Sequence, residues 1–216
     1  MPKIITRLMV FKMYFFLDME IFPLLGLGIL NGWILLAIFW ATEVIFVLMF
    51  PKGTRGRLFK YDHSRWSKKN RILFVIGRII ALICLILVFF TPLKIGSINF
   101  LLGIIIYAIG LTGFATALTN FKNTPKDQPV ISGIYRISRN PQVLSIFIIS
   151  LGMCLAIGSW IAILFLLVGG VFSRVRLLEE ERDCLEQYGE AYRTYMTSVP
   201  RYLLIKTRIK DEEASS

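Results

Sequence analysis

Four long apolar blocks, separated by short charged stretches, set the pattern of this chain. Residues 21–50 carry one charge, Glu43, and residues 72–93 carry one, Arg78; residues 98–118 and 143–173 carry none. A helix needs about 20 apolar residues to cross a hydrocarbon core of about 30 Å, so each block is long enough for at least one crossing. In lipid the backbone must satisfy its own hydrogen bonds, and apolar runs without a period of two predict helices rather than a barrel. The last block has 31 residues, which as one helix would run about 46 Å, too long for a single upright crossing. Gly158-Ser159 lies near its middle with Trp160 next, so the pattern predicts a helical hairpin that turns there.

Composition agrees with this reading, and the positions of the charges extend it. Of the 216 residues, 56% are hydrophobic and 18% charged, with a mean hydropathy of +0.66. An ordinary soluble domain is about 45–50% apolar and about 25% charged. Disorder and collagen-like repetition are excluded. The net charge is +11, from 25 Lys and Arg against 14 Asp and Glu. With a single crossing in the last block, the two sides would hold 12 basic residues each; with a hairpin they hold 20 and 4, and the positive-inside rule selects the hairpin. The expectation is an all-α polytopic membrane protein of about five transmembrane helices. Its N-terminus is outside, and a charged C-terminal helix lies in the cytoplasm. Residues 1–97 form an N-terminal membrane region, and residues 98–216 carry the candidate chemistry. Residues 1–20 read as an interfacial helix using Phe11, Phe15 and Phe16, with no signal-peptide cleavage site before Phe22-Pro23.

Several simpler signals are set aside. Gly26, Gly28 and Gly32 imitate a nucleotide-binding fingerprint, but they follow no strand and lie in a lipid-length run, so close helix packing is expected there, as at Gly103, Gly110 and Gly113. The positive charge suits anionic lipid headgroups, not nucleic acid. No metal is expected: His63 is the single histidine, and Cys84 and Cys154 lie inside apolar blocks with Cys184 beyond them. Glu43 and Arg78 are intramembrane charges at similar depth, and because such charges are rarely left unpaired, a Glu43–Arg78 contact is predicted.

Two segments combine polar chemistry with a position at the membrane surface. Residues 123–142 read NTPKDQPVISGIYRISRNPQ, a non-helical approach ending in Asn140-Pro141, where Pro suits the first turn of a helix. Tyr135, Arg136, Arg139 and Asn140 gather at this boundary, either as a snorkelling belt or as a site. Residues 174–201 read RVRLLEEERDCLEQYGEAYRTYMTSVPR. Arg176 with Glu180 and Arg182 with Glu186 have the spacing of helical ion pairs. Glu179, Glu180 and Glu181 point in different directions around a helix, so at most one or two can face a shared cavity. Tyr192 and Tyr195 form an aromatic stripe that covers a ligand or packs on the preceding loop.

Together, GIYRISRNPQ before an apolar hairpin and EExxxLxxYGxxYxxYxxxVPR after it resemble the isoprenylcysteine carboxyl methyltransferase and phospholipid methyltransferase superfamily, over roughly residues 98–204. The resemblance implies an integral membrane enzyme that binds S-adenosylmethionine between the re-entering loop and the cytoplasmic helix. It implies a methyl acceptor that is lipophilic, either an isoprenylcysteine carboxylate or a phospholipid amine. Gly133, Tyr135, Arg139, Asn140 and Pro141 match the family's GxYxxxRHPxY pattern, with Asn140 in place of His and Val143 in place of the following Tyr. Glu180 and Glu181 match its acidic pair, and Gly189, Tyr192 and Tyr195 the segment after it. The resemblance assigns Arg139 and Glu180 as catalytic residues, and Ile131, Gly133, Tyr135, Asn140, Pro141, Glu180, Glu181 and Tyr192 as cofactor-binding residues, with no metal. The C-terminal segment, RDC followed by QYG and VPR, is also similar to membrane sterol reductases that use NADPH, although those chains are usually much longer. A non-enzymatic membrane scaffold is the remaining alternative.

Overall fold

The computed structural model describes residues 18–51, 55, 65–125 and 127–203. Among them are six α-helices: α1 (Trp33–Leu48), α2 (Lys68–Phe90), α3 (Ile98–Asn123), α4 (Pro141–Ala156), α5 (Trp160–Tyr188) and α6 (Glu190–Ser198), with a 3-10 turn at Gly133–Arg136. There is no extended strand among these residues; two isolated bridges join Glu20 to Ser159 and Asn31 to Pro92. Helices α2, α3 and α5 are long and apolar enough to cross a membrane, while α1 and α4 are apolar but shorter. The protein is integral to a membrane, and the outer faces fit that setting: Val171 of α5 is 73% exposed and Leu82 of α2 56%. Phe11, Phe15, Phe16 and His63 lie outside the described residues.

The helix ends follow local sequence rules. Ser67, Ser97 and Ser159 each cap a helix, their side-chain oxygens accepting from the backbone N–H of Asn70, Phe100 and Ala162. Helix α4 begins with Pro141 at its first turn, where the missing N–H has no partner to lose. Helix α2 stops at Thr91, which is extended because Pro92 follows it. The Arg55 guanidinium covers the end of α1, Nη2 donating to Leu48 O at 2.6 Å and Nε to Phe50 O just beyond the helix at 2.9 Å, a cation at the negative end of the helix dipole.

The first apolar block is not one helix. Residues 21–30 are irregular, and α1 begins only at Trp33. One Pro and three Gly between residues 23 and 32 disfavour helix, and the freed backbone pairs instead with the end of α2: Gly26 N to Phe90 O at 2.9 Å, Leu93 N to Leu30 O at 2.9 Å, Gly32 N to Thr91 O at 3.0 Å. Of the three glycines read as packing positions here, only Gly32 is pressed on a neighbouring element; an added Cβ would lie 2.3 Å from Val88 O, whereas at Gly26 it would meet nothing within 4 Å.

The last apolar block does fold back. Helix α4 ends at Ala156, Gly158 takes a φ of +63°, and α5 starts at Trp160. A second strap fixes this turn: Glu20 N donates to Gly158 O at 2.7 Å, Trp160 N to Glu20 O at 2.9 Å, and Lys94 N to Ala156 O at 3.0 Å. Lys94 also pairs with the Glu20 carboxylate.

Two helix pairs make the core, α3 with α4 and α2 with α5. The α3–α4 pair is close because small residues meet backbone. A Cβ at Gly103 would lie 2.5 Å from Ala156 N, at Gly110 2.7 Å from Ile149 N, and at Gly152 2.5 Å from Tyr107 N. This is the packing expected for Gly103 and Gly110, and Gly113 faces Ser145 in the same seam. Tyr107 reaches across to α1, its hydroxyl donating to Leu35 O at 2.8 Å.

Glu43 and Arg78 form no ion pair, a correction to the sequence expectation. Leu36, Phe39, Glu43 and Phe46 share one stripe of α1 at helical spacing, continued just past the helix by Phe50, and this stripe faces α3: Phe39 packs on Phe114 at 5.4 Å and Phe50 on Phe121 at 6.3 Å between ring centroids. Arg78 falls on the outer face of α2 with Val75 and Leu82, all exposed. The two charges point to different surroundings, so similar depth does not bring them together.

Gly152→Ala is expected to cost about 1–3 kcal/mol, since backbone atoms on α3 must move. Gly26→Ala should stay within about 0.5 kcal/mol. Unfolding midpoints of detergent-purified protein compare the two directly.

Candidate functional site

The site is assembled at the end of the bundle where α3 and α5 carry their charges. After α3 the chain turns at Thr124-Pro125 and returns through the 3-10 turn. Gly133 holds a φ of +60° against Asn120; an added Cβ would sit 1.7 Å from Asn120 Nδ2. Asn120 Nδ2 donates to Ser132 O at 3.2 Å, which pins the turn on α3. Tyr135 is thereby buried, its hydroxyl accepting from Gln142 Nε2 at 3.0 Å and its carbonyl accepting from the Tyr195 hydroxyl at 2.6 Å. One tyrosine thus links the loop, α4 and α6.

The three consecutive glutamates separate as the helical rotation requires. Glu179 is buried against α2, where it accepts from Asn70 Nδ2 at 2.6 Å, and it pairs with Arg182 at 2.7 Å. Glu180 is about a quarter exposed and pairs with Arg176 at 2.6 Å. Glu181 is buried between two arginines: Arg201 Nε lies 3.0 Å from each of its oxygens and Nη2 2.6 Å from one, and Arg139 Nη2 lies 3.5 Å away. The expected Arg176–Glu180 and Arg182–Glu186 pairs are both present, the second at 3.9 Å. Glu186 also pairs with Arg65, which precedes α2.

The segment after α6 completes the arrangement by running beside the start of α4. The N–H of Arg139 donates to Pro200 O at 3.0 Å, and the Ser138 hydroxyl donates to Arg201 O at 3.1 Å. Asn140 Nδ2 approaches the same Arg201 carbonyl at 3.4 Å. Val199-Pro200-Arg201 closes the C-terminal motif, and spacing alone assigns Arg201 no role. A buried carboxylate needs more than one donor, and the signal for it was a second arginine at a fixed place after the aromatic stripe.

These elements enclose a cavity of about 240 Å³. Tyr135, Arg139, Asn140, Pro141, Glu180, Glu181 and Tyr192 line it, as does Tyr195. Ile131 and Gly133 do not; Ile131 is largely exposed and Gly133 serves the turn against Asn120. Phe121, Val143, Arg176, Asp183, Cys184 and Gln187 line it without having been singled out as site residues. Phe121 and Val143 give the cavity an apolar flank towards the bundle, while Arg176, Glu180 and Gln187 give it a charged and polar one. Burial pushes the Tyr192 and Tyr195 hydroxyls well above the usual tyrosine range, with the Glu181 charge acting in the same direction. Both remain neutral hydrogen-bond donors with their rings 5.7 Å apart. Chemically, the cavity offers the carboxylates of Glu180 and Asp183, the rings of Tyr135, Tyr192 and Tyr195, and the guanidinium groups of Arg139 and Arg176 beside an apolar wall.

Residues 88–191 match the family model for phospholipid methyltransferase. No match was found among curated proteins or among solved structures. The matched segment runs from the end of α2 to the start of α6 and contains Tyr135, Arg139, Asn140 and the three glutamates; Tyr192, Tyr195 and Arg201 follow it.

Removing one member of a buried ion cluster leaves the others uncompensated, at a cost of about 3–5 kcal/mol. Glu181→Ala should therefore destabilise the protein by about that amount, whereas Glu180→Ala, in a partly exposed pair, should cost about 1 kcal/mol or less. Chemical denaturation of the two variants in the same detergent tests the difference.

Proposed function

We propose, from the premise that residues 88–191 belong to the phospholipid methyltransferase family, that this protein is a membrane enzyme moving a methyl group from S-adenosylmethionine to a lipophilic acceptor. The acceptor class is an isoprenylcysteine carboxylate or a phospholipid amine, and the charged end of the bundle faces the cytoplasm. The observation that carries the reading is the convergence of the loop, α4, α5 and α6 on one cavity that pairs a reachable carboxylate and aromatic faces with an apolar flank.

The donor set fits the cofactor. When bound, S-adenosylmethionine supplies a methyl on a sulfonium whose positive charge is lost on transfer. The Glu180 carboxylate and the rings of Tyr135, Tyr192 and Tyr195 favour such a cation. Asn140 and Pro141 form the wall at the start of α4, where Asn140 keeps amide hydrogen-bonding capacity beside the cavity. Arg139 lines the same wall and anchors a carboxylate or phosphate. Glu181, with both oxygens engaged by arginine, holds the wall in place instead of binding ligand. Phe121 and Val143 receive the apolar part of the acceptor from the membrane side and exclude water. The remaining catalytic requirement is alignment, which rigid helices and neutral tyrosine donors provide without a covalent intermediate.

S-Adenosylhomocysteine should raise the unfolding midpoint of the purified protein, with a stabilisation of about 2.7 kcal/mol at a hundred times its dissociation constant. NADPH should not, and stabilisation by NADPH alone would overturn the proposal in favour of a reductase. Glu180→Gln should weaken S-adenosylhomocysteine binding and methyl transfer by about tenfold to a hundredfold, the effect of losing a charged hydrogen-bond partner. Wild-type turnover in that variant would remove Glu180 from the site.

A further inference from the structure

We propose that Arg201 is a positioning residue of the site, setting Arg139 and Asn140 against the ligand although it lies beyond the segment that matches the family. The inference rests on the methyl-transfer reading for its substrate, but its geometry does not.

Arg201 acts by two routes that converge on residues 138–140. Through its side chain it takes both oxygens of Glu181, with contacts of 3.0, 3.0 and 2.6 Å. Glu181 is in turn the carboxylate beside Arg139, whose side chain is 1% exposed. Through its main chain Arg201 accepts from the Ser138 hydroxyl and lies 3.4 Å from Asn140 Nδ2, while the preceding Pro200 carbonyl accepts from the Arg139 N–H. Residues 138–140 are therefore held from both sides by residues 200–201. Planar, two-point contact with a carboxylate is what a guanidinium provides and an ammonium does not. Without it, Glu181 would lose its fixed orientation at the cavity wall, and Arg139 would lose its fixed counter-charge. The ordering of a wall this far along the chain also explains why the last motif of the C-terminal segment ends in arginine.

Arg201→Gln and Arg201→Lys in the full chain, purified in detergent, separate positioning from simple support of the fold. In the folded fraction of Arg201→Gln, S-adenosylhomocysteine affinity should fall about tenfold or more and the KM for S-adenosylmethionine should rise with a smaller change in kcat. Arg201→Lys keeps the charge without the fork, and should fall between wild type and Gln while holding its unfolding midpoint near wild type. A readout that needs no ligand is tryptic cleavage after Arg136 or Arg139, which should be about tenfold faster in Arg201→Gln, because the loop opens more often. Wild-type affinity and wild-type cleavage in both variants would overturn the assignment. If the wild-type protein binds no S-adenosylhomocysteine yet the Arg201 variants open the loop, the methyl-transfer reading fails and the positioning role stands.

Discussion

Glu181 is a carboxylate taken out of water in a protein whose surroundings are largely hydrocarbon, and its environment is built to meet that cost. A single buried charge is tolerated only when it is paired and fully hydrogen-bonded. Arg201 occupies both of its oxygens, and Arg139 stands beside it. The pairing joins parts of the chain that local forces would leave separate: the loop before α4, the outer half of α5 and the segment after α6. The cavity exists because these three meet. Its wall is rigid because the charges cannot separate without exposing one another to low dielectric.

A cluster of this kind needs the helices beneath it held in register, and two other features do that. The α3–α4 seam, where Gly103, Gly110 and Gly152 let backbone approach backbone, fixes the start of α4 relative to α3. At the opposite end, Glu20 and Lys94 fasten the α4–α5 turn through Gly158 and Trp160. With the turn fixed, the rise of α5 places Glu179, Glu180 and Glu181 opposite Asn70, the cavity and the arginines respectively. The aromatic stripe of α6 then closes over Tyr135. The order of dependence runs from the turn, through helix register, to the charges.

The two charges inside the apolar segments follow a different logic. Glu43 lies on the protein-facing stripe of α1 near Phe39 and Phe46, while Arg78 sits on the outer face of α2 and is long enough to reach towards headgroups. Depth along a helix and direction around it are independent, and only the first can be estimated from segment boundaries. The same distinction explains the first apolar block. Its length suffices for a crossing, but Pro23, Gly26, Gly28 and Asn31 make residues 21–30 an irregular strap whose backbone groups bond to the end of α2.

The sequence by itself determined a helical membrane protein, the reversal at Gly158-Ser159, the Pro141 start of α4, and the divergence of three adjacent glutamates. Each of these depends on local chemistry: hydropathy over about 20 residues, the conformational range of Gly and Pro, and a rotation of about 100° per helical residue. It also marked Tyr135, Arg139, Asn140, Glu180 and Tyr192 as belonging near one another. Only the tertiary structure decided that Glu181 is committed to Arg201, that Glu180 pairs with Arg176 where both line the cavity, that Ile131 and Gly133 stand outside it, and that Glu43 and Arg78 part company. Those outcomes turn on which faces of separate helices meet and on competition among several arginines for one carboxylate. Neither is encoded in spacing along the chain, because both are set by distances between residues far apart in it, such as Arg139 and Arg201, 62 positions apart, or Asn70 and Glu179, 109 positions apart.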